Sequence, residues 1–198
     1  MTEFEKTLPY VFIIESLDFD DEKNQAYEGE IISRILSMSN IEHKYYYIRT
    51  KREFEHFIDE FVESNYRYLH ISCHGSEDKI CTTLDDIYFQ DLELILGDKL
   101  DRKRLFLSSC LSTNKSLAKS ILPISECFSI IGPNEEINMD DAAIFWSSFY
   151  QKMFKDNDSY MQNDKVKEAI KSLKEFFNVP ISYFASTKTE KGWKEVNL

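Results

Sequence analysis

The sequence predicts an α/β domain: an open, doubly wound, mostly parallel six-stranded sheet with helices on both faces. Three observations carry that prediction. Short apolar runs alternate with amphipathic stretches along the chain. The runs are too continuously apolar to face water on one side, as strands of a buried parallel sheet are. The stretches between them are long enough for the helical crossovers that parallel strands require, and right-handed crossovers then wind the sheet in both directions.

Tyr10 to Ile14 (YVFII) reads as the first strand, ending in Glu15-Ser16. Ile31, Ile32, Ile35 and Leu36 repeat at helical spacing and predict a helix from about Asn24 to Met38. Tyr45 to Ile48 is the second strand, and Phe54, Phe57, Ile58, Phe61 and Val62 mark the next helix. Tyr66 to Cys73 (YRYLHISC) is the third strand, stopped by His74-Gly75. Ser76 to Gln90 is mixed and suits a short hairpin, with a helix around Leu92 to Leu96. Leu105 to Ser109 (LFLSS) is the fourth strand, followed by a helix through Leu117, Ile121 and Leu122. Phe128 to Ile131 is the fifth strand, broken by Gly132-Pro133. Helices follow over about Asp140 to Phe154 and Lys165 to Phe177, and Val179 to Ala185 closes the sheet as its sixth strand.

With 198 residues, five Gly, four Pro and no repeat or low-complexity stretch, the chain is read as one domain, residues 1–198. Twenty-four basic against 35 acidic residues give a net charge of −11, which repels phosphate backbones and anionic lipid. Neither nucleic acid nor a membrane is expected as a partner, and basic peptides are tolerated. Met1–Lys6 lacks the basic start and apolar stretch of a secretory signal. No run approaches the length that spans a bilayer. Cys73, Cys81, Cys110 and Cys127 show no paired spacing. Together these predict a cytoplasmic protein with reduced thiols.

Ligand sites of doubly wound sheets lie beyond the carboxyl ends of the strands. Two adjacent ends carry chemistry here: His70-Ile71-Ser72-Cys73-His74-Gly75 ends the third strand and Ser108-Ser109-Cys110 the fourth. Neighbouring strands lie about 5 Å apart, so Cys110 and His74 share one rim. An imidazole that takes the thiol proton makes the sulfur a nucleophile. Gly75 lets the backbone come close, and its N–H with that of Cys110 suits an oxyanion hole.

YLHISCHG followed by LFLSSC resembles the caspase–hemoglobinase superfamily, which includes caspases, metacaspases, separases and the bacterial CHAT proteases. The resemblance covers Tyr66 to Pro133 and is nearest to the bacterial CHAT and caspase-like domains. It implies a six-stranded α/β sheet, Cys110 as nucleophile and His74 as base. His74 and Cys110 are 36 residues apart, against the roughly 50 of caspases, and Ser109-Cys110-Leu111-Ser112 stands where Q-A-C-x-G would be. These departures weaken aspartate specificity more than catalysis.

The expected activity is peptide-bond hydrolysis through a Cys110 acyl-enzyme, with His74 as general base and then acid. No metal or organic cofactor is required. The partners are a protein or peptide substrate and a regulatory protein, and the resemblance implies a regulated defence or cell-death role. The alternative is a non-catalytic interaction or signalling module, a degenerate caspase-like domain. Glu15, Asp18, Glu135 and Glu136 are expected on the rim, where they favour Arg or Lys over Asp before the cut, and Ser109 is expected to shape the pocket. Asp140 and Asp141 suit a helix N-terminus. Zinc is not assigned, because strand alternation sends Cys73 away from His70 and His74. Cys81, Cys127 and the Phe145-Trp146-Phe149-Tyr150 stripe read as packing, and Asn114 as a helix cap.

Overall fold

The structure, a computed structural model, describes residues 7–156 and 161–198, so the polar start Met1–Lys6 lies outside the described residues. Strand β1 (Leu8–Glu15) leads through a one-turn helix α1 (Phe19–Lys23) to α2 (Glu28–Met38), β2 (His43–Tyr47), α3 (Lys51–Ser64) and β3 (Tyr66–Ser72). Three short strands, β4 (His74–Gly75), β5 (Lys79–Cys81) and β6 (Asp86–Tyr88), precede α4 (Phe89–Leu96). The chain continues through β7 (Arg104–Ser108), α5 (Lys115–Ser125) and β8 (Ser129–Pro133). It ends with α6 (Met139–Asp156), α7 (Asn163–Phe177), β9 (Ile181–Ser186) and β10 (Trp193–Glu195).

The main sheet has the order β10-β9-β8-β7-β3-β1-β2, parallel from β2 to β8 and antiparallel at β9 and β10. The predicted doubly wound, mostly parallel sheet is therefore present, with seven strands among the described residues rather than six. The seventh, β10, is three residues long and has Trp193 as its one large apolar side chain, packed edge-on against Phe184. So short a polar segment has no readable period. Gly75, Ile80 and Ile87 belong to a second, antiparallel sheet of order β4-β5-β6, built where a hairpin was expected.

The two-residue period of each strand divides its side chains between two cores. Phe12, Ile14, Leu69, Ile71, Leu105 and Leu107 pack with residues of α3, α4 and α5 on one face. Val11, Ile13, Tyr68, Phe106 and Ile131 pack with α2, α6 and α7 on the other. The α6 aromatics Phe145, Trp146, Phe149 and Tyr150 are buried in this second core, as their helical spacing suggests. Helix α3 begins at a capping box, with Thr50 accepting from Glu53 N–H while Glu53 reaches back to Thr50 N–H. After β1 the chain crosses one face through α2, and after β3 it crosses the other through α4. The crevice between the ends of β1 and β3 is thus the topological switch point where such folds place their ligands.

Glu15 is not at the open rim. It is fully buried, and its carboxylate accepts from Gly29 N–H (2.7 Å), Glu30 N–H (3.2 Å) and Tyr45 Oη (2.7 Å). Tyr27, at the N-cap of α2, supplies no side-chain acceptor, so Glu15 satisfies the first N–H groups of that helix from the neighbouring strand. Burial outweighs these hydrogen bonds and pushes Glu15 up from the ordinary 4.5 to about 7. Between those values the folded chain holds a proton that the unfolded chain has released. The contribution of this group to stability is therefore full below pH 4.5 and falls as pH rises towards 7, by about 3 kcal/mol. Thermal melts at pH 5 and pH 8 are expected to show that decline, and Glu15→Gln is expected to remove its share of the slope.

Candidate active site

The rim is set by strand register. Ser72 pairs with Ser108 across β3 and β7, so His74 and Cys110 each stand two residues beyond the same rung. Cys73 N–H donates to Ser108 carbonyl (3.0 Å), which holds the two ends together just before the site. Both His74 and Cys110 line one open groove of about 600 Å³ that also takes in Gly75, Glu136, Asp141 and Pro180. That size is ordinary for a ligand cleft.

Cys110 is half-buried, with its Sγ 3.5 Å from the N and O of Ile137 on the β8–α6 loop. Leu111, directly after it, has φ +63°, a left-handed backbone that a branched side chain adopts only under strain. The surrounding turn is held tightly. Leu111 N–H donates to Glu135 carbonyl, Thr113 N–H to Pro133 carbonyl, and Asn114 Nδ2 to the carbonyls of Glu77 and Leu111. Asn114 also caps α5, its oxygen accepting from Ser116 and Leu117 N–H. The other three thiols are poor candidates. Burial pushes Cys73 up to about 12 and Cys127 and Cys81 up to about 11, with Asp86 beside Cys81 adding to its shift.

His74 is partnered by Asp21, which the sequence left unassigned, and by Asp18, which it placed on the rim. Its Nε2 lies 2.6 Å from Asp21 Oδ2 and 3.6 Å from Asp18 Oδ2. Asp18 caps α1, accepting from Asp21 N–H (2.8 Å), and this single turn presents Asp21 to the ring. A five-residue helix with no buried residue gives no hydrophobic period, so the only signal for Asp21 was the run of acidic residues after β1. One atom each of Asp18, Asp21 and His74 lie within 4.8 Å of one another, a spacing that also suits a cation. The 2.6 Å contact is already that of a charge-assisted hydrogen bond.

Gly75 is required by close packing. A Cβ there would stand 2.0 Å from Ser109 Oγ and 2.2 Å from Ser112 Oγ, which are buried and 2.9 Å from each other. In the β4–β5 hairpin Ser76 N–H bonds Lys79 carbonyl, so by antiparallel alternation Gly75 occupies a non-hydrogen-bonded pair with Ile80. Strand β4 is an edge strand, and the Gly75 N–H is directed off its free side. The N–H of Cys110 makes no hydrogen bond among the described residues. Gly75→Ala is expected to cost about 1–3 kcal/mol by overpacking, with a fall in Tm of about 2–4 °C for each kcal/mol. A thermal melt checks it.

The remaining expectations divide. Asp18 reaches the rim, and Glu136 lines the groove. Glu135 is exposed and contributes its backbone carbonyl to the Leu111 turn. Ser109 does not line the groove: it is 2% exposed, with its Oγ 2.9 Å from Ser112 Oγ, and it lines instead a narrower cavity beside Cys110. His70 is fully buried, with Nδ1 3.1 Å from Tyr150 Oη.

Behind the thiol lies a second, narrower cavity of about 60 Å³ that the sequence did not suggest. Its lining includes Ser72, His74, Ser108, Cys110, Met139 and Glu28. Glu28 is 3% exposed, and its Oε2 accepts from Ser72 Oγ (2.9 Å) and Ser108 Oγ (3.0 Å).

No protein-family model and no curated protein matches the sequence. Solved structures do resemble the fold. The Arg-specific cysteine proteinase gingipain R matches with a TM-score of 0.56 and 13% identity, over 96% of this chain and 44% of that one. Caspase-1 from Spodoptera frugiperda matches with a TM-score of 0.50 and 14% identity, over 77% of this chain and 71% of that one. The chain thus spans less than half the length of the gingipain chain.

Proposed function

We propose that this chain, which has the caspase-like fold of clan CD cysteine proteases, is a cysteine endopeptidase with Cys110 as nucleophile and His74 as base. The observation that carries this reading is the groove shared by Cys110 and His74, with Asp21 bound to Nε2 of the ring. With Nε2–H donated to Asp21, the Nδ1 lone pair is left to take the thiol proton. The thiolate attacks the scissile carbonyl, and the developing oxyanion is met by the N–H groups of Gly75 and Cys110. His74 then returns its proton to the leaving amine. Water, deprotonated by the same ring, releases the acid and restores the thiol.

The groove supports a basic peptide as substrate. Glu136 and Asp141 line it, Asp18 and Asp21 flank His74, and no Lys or Arg is among its lining residues. Complementary charge favours a cationic residue near the cut. Among the described residues no helix is long and apolar enough to cross a membrane. A cytoplasmic role in regulated defence or cell death, under the control of a partner protein, completes the proposal. Full activity of the isolated chain would count against that control.

A peptide carrying a thiol-reactive group tests the catalytic reading. It is expected to label Cys110 in the native chain and to fail with His74→Ala. Equal labelling of both would instead favour a non-catalytic module.

A further inference from the structure

We propose that Glu28 is the specificity-determining residue of this site and selects lysine at the residue before the scissile bond. This rests on the reading of Cys110 as a nucleophile that meets peptides, and it names what the narrow cavity behind the thiol is for. The cavity begins at Cys110 and has Ile137, Met139 and Ala142 on its apolar wall, with Ser72, Ser108 and Glu28 as its polar side. A side chain whose carbonyl is attacked by Cys110 has this slot next to it.

The chemistry of the slot distinguishes among cations. Glu28 is almost wholly buried, yet only one of its oxygens is satisfied: Oε2 takes both serine hydroxyls, while Oε1 has no hydrogen-bond partner. A buried carboxylate oxygen without a donor is costly, and a ligand that supplies the donor recovers that cost. One step deeper along β3, His70 Nε2 is also without a partner and lies 3.7 Å from Glu28 Oε1. The other ring nitrogen, Nδ1, lies 3.1 Å from Tyr150 Oη. Glu28 Oε1 is thus a buried acceptor with no donor at hydrogen-bond distance, on a residue that lines the cavity.

An ammonium meets that demand as a compact point charge with three donors. A guanidinium does not. Its planar fork seeks two carboxylate oxygens side by side, and the serines already hold one of them. A cavity of about 60 Å³ admits a slender unbranched stem more readily than that plane, and the flexible Met139 thioether can shift to line it. An aspartate would meet the Glu28 carboxylate as a like charge. Selection for lysine over arginine is therefore sharper than the acidity of the groove would give.

The test is the rate at which Cys110 is alkylated by peptidyl acyloxymethyl ketones ending in Lys, norleucine, Arg or Asp. Norleucine lacks only the ammonium. The Lys probe is expected to react about 30-fold faster than the norleucine probe, and faster than the Arg and Asp probes. Glu28→Gln is expected to bring the Lys and norleucine rates together. Should that variant fail to fold, Ala142→Leu narrows the slot from its apolar side and is expected to slow the Lys probe far more than a Gly-ended one. A faster Arg or Asp probe, no Lys labelling above an iodoacetamide background, or a Lys advantage that survives Glu28→Gln would overturn the inference. Failure of the peptidase reading is distinguishable: no amide substrate would be turned over by the native chain, while the alkylation rates would still report on Glu28.

Discussion

Cys110→Ala is expected to abolish peptide hydrolysis, and His74→Ala to lower kcat/KM by at least about 10³-fold, with little change in Tm from either. The two side chains stand at the end of adjacent strands and share the groove, so neither carries much of the core. The large effect follows from their acting as a unit. Without the base the thiol attacks slowly, and without the thiol the base has nothing to activate. The double variant is therefore expected to be no worse than Cys110→Ala alone. None of the other three cysteines can substitute, because each is pushed up to about 11 or 12 and Cys73 and Cys127 are buried. Steady-state kinetics on a lysine-ended peptide amide, beside a thermal melt, check the prediction. A His74→Ala rate within about tenfold of native would remove the imidazole from the mechanism.

The second large effect is expected at Asp21. As a surface ion pair its contact with His74 is worth little to stability, about 0–1 kcal/mol, since Asp21 and His74 are both partly solvated. Its value lies in fixing which ring nitrogen carries the proton and where the ring points. Asp21→Asn is expected to lower kcat by about 30-fold, or on the order of 2 kcal/mol at the barrier, with KM and Tm nearly unchanged. Asp18 remains 3.6 Å from the same nitrogen, so it partly replaces the lost acceptor, and Asp18→Asn with Asp21→Asn is expected to fall further. Rescue by Asp21→Glu, and no added loss when Asp21→Asn is combined with His74→Ala, would separate orientation from a purely structural role. Equal loss of kcat and Tm would point to a structural role alone.

The sequence by itself determined the layered sheet and the rim. Runs such as YVFII and YLHISC read as buried strands because they are short, rich in β-branched and aromatic residues and bounded by polar or turn residues. The spacing of Phe54, Ile58 and Phe61 reads as a buried helix face because its period is helical. Two successive strands ending in His74-Gly75 and Cys110 put the imidazole and the thiol on one edge as soon as the strands were neighbours. The tertiary structure alone decided which acidic residues serve the site, since a carboxylate has no period and its role depends on what is brought against it. Glu15 turned inward because α2 begins beside it and needs acceptors for its first N–H groups. Asp21 came to His74 through a helix too short to announce itself. Ser109 was turned from the groove to the narrow cavity, beside Ser112. Glu28, an ordinary helix-start glutamate in the sequence, became the polar wall of a cavity behind the nucleophile. Ser72 and Ser108, residues 44 and 80 positions away, close on one of its oxygens and leave the other open.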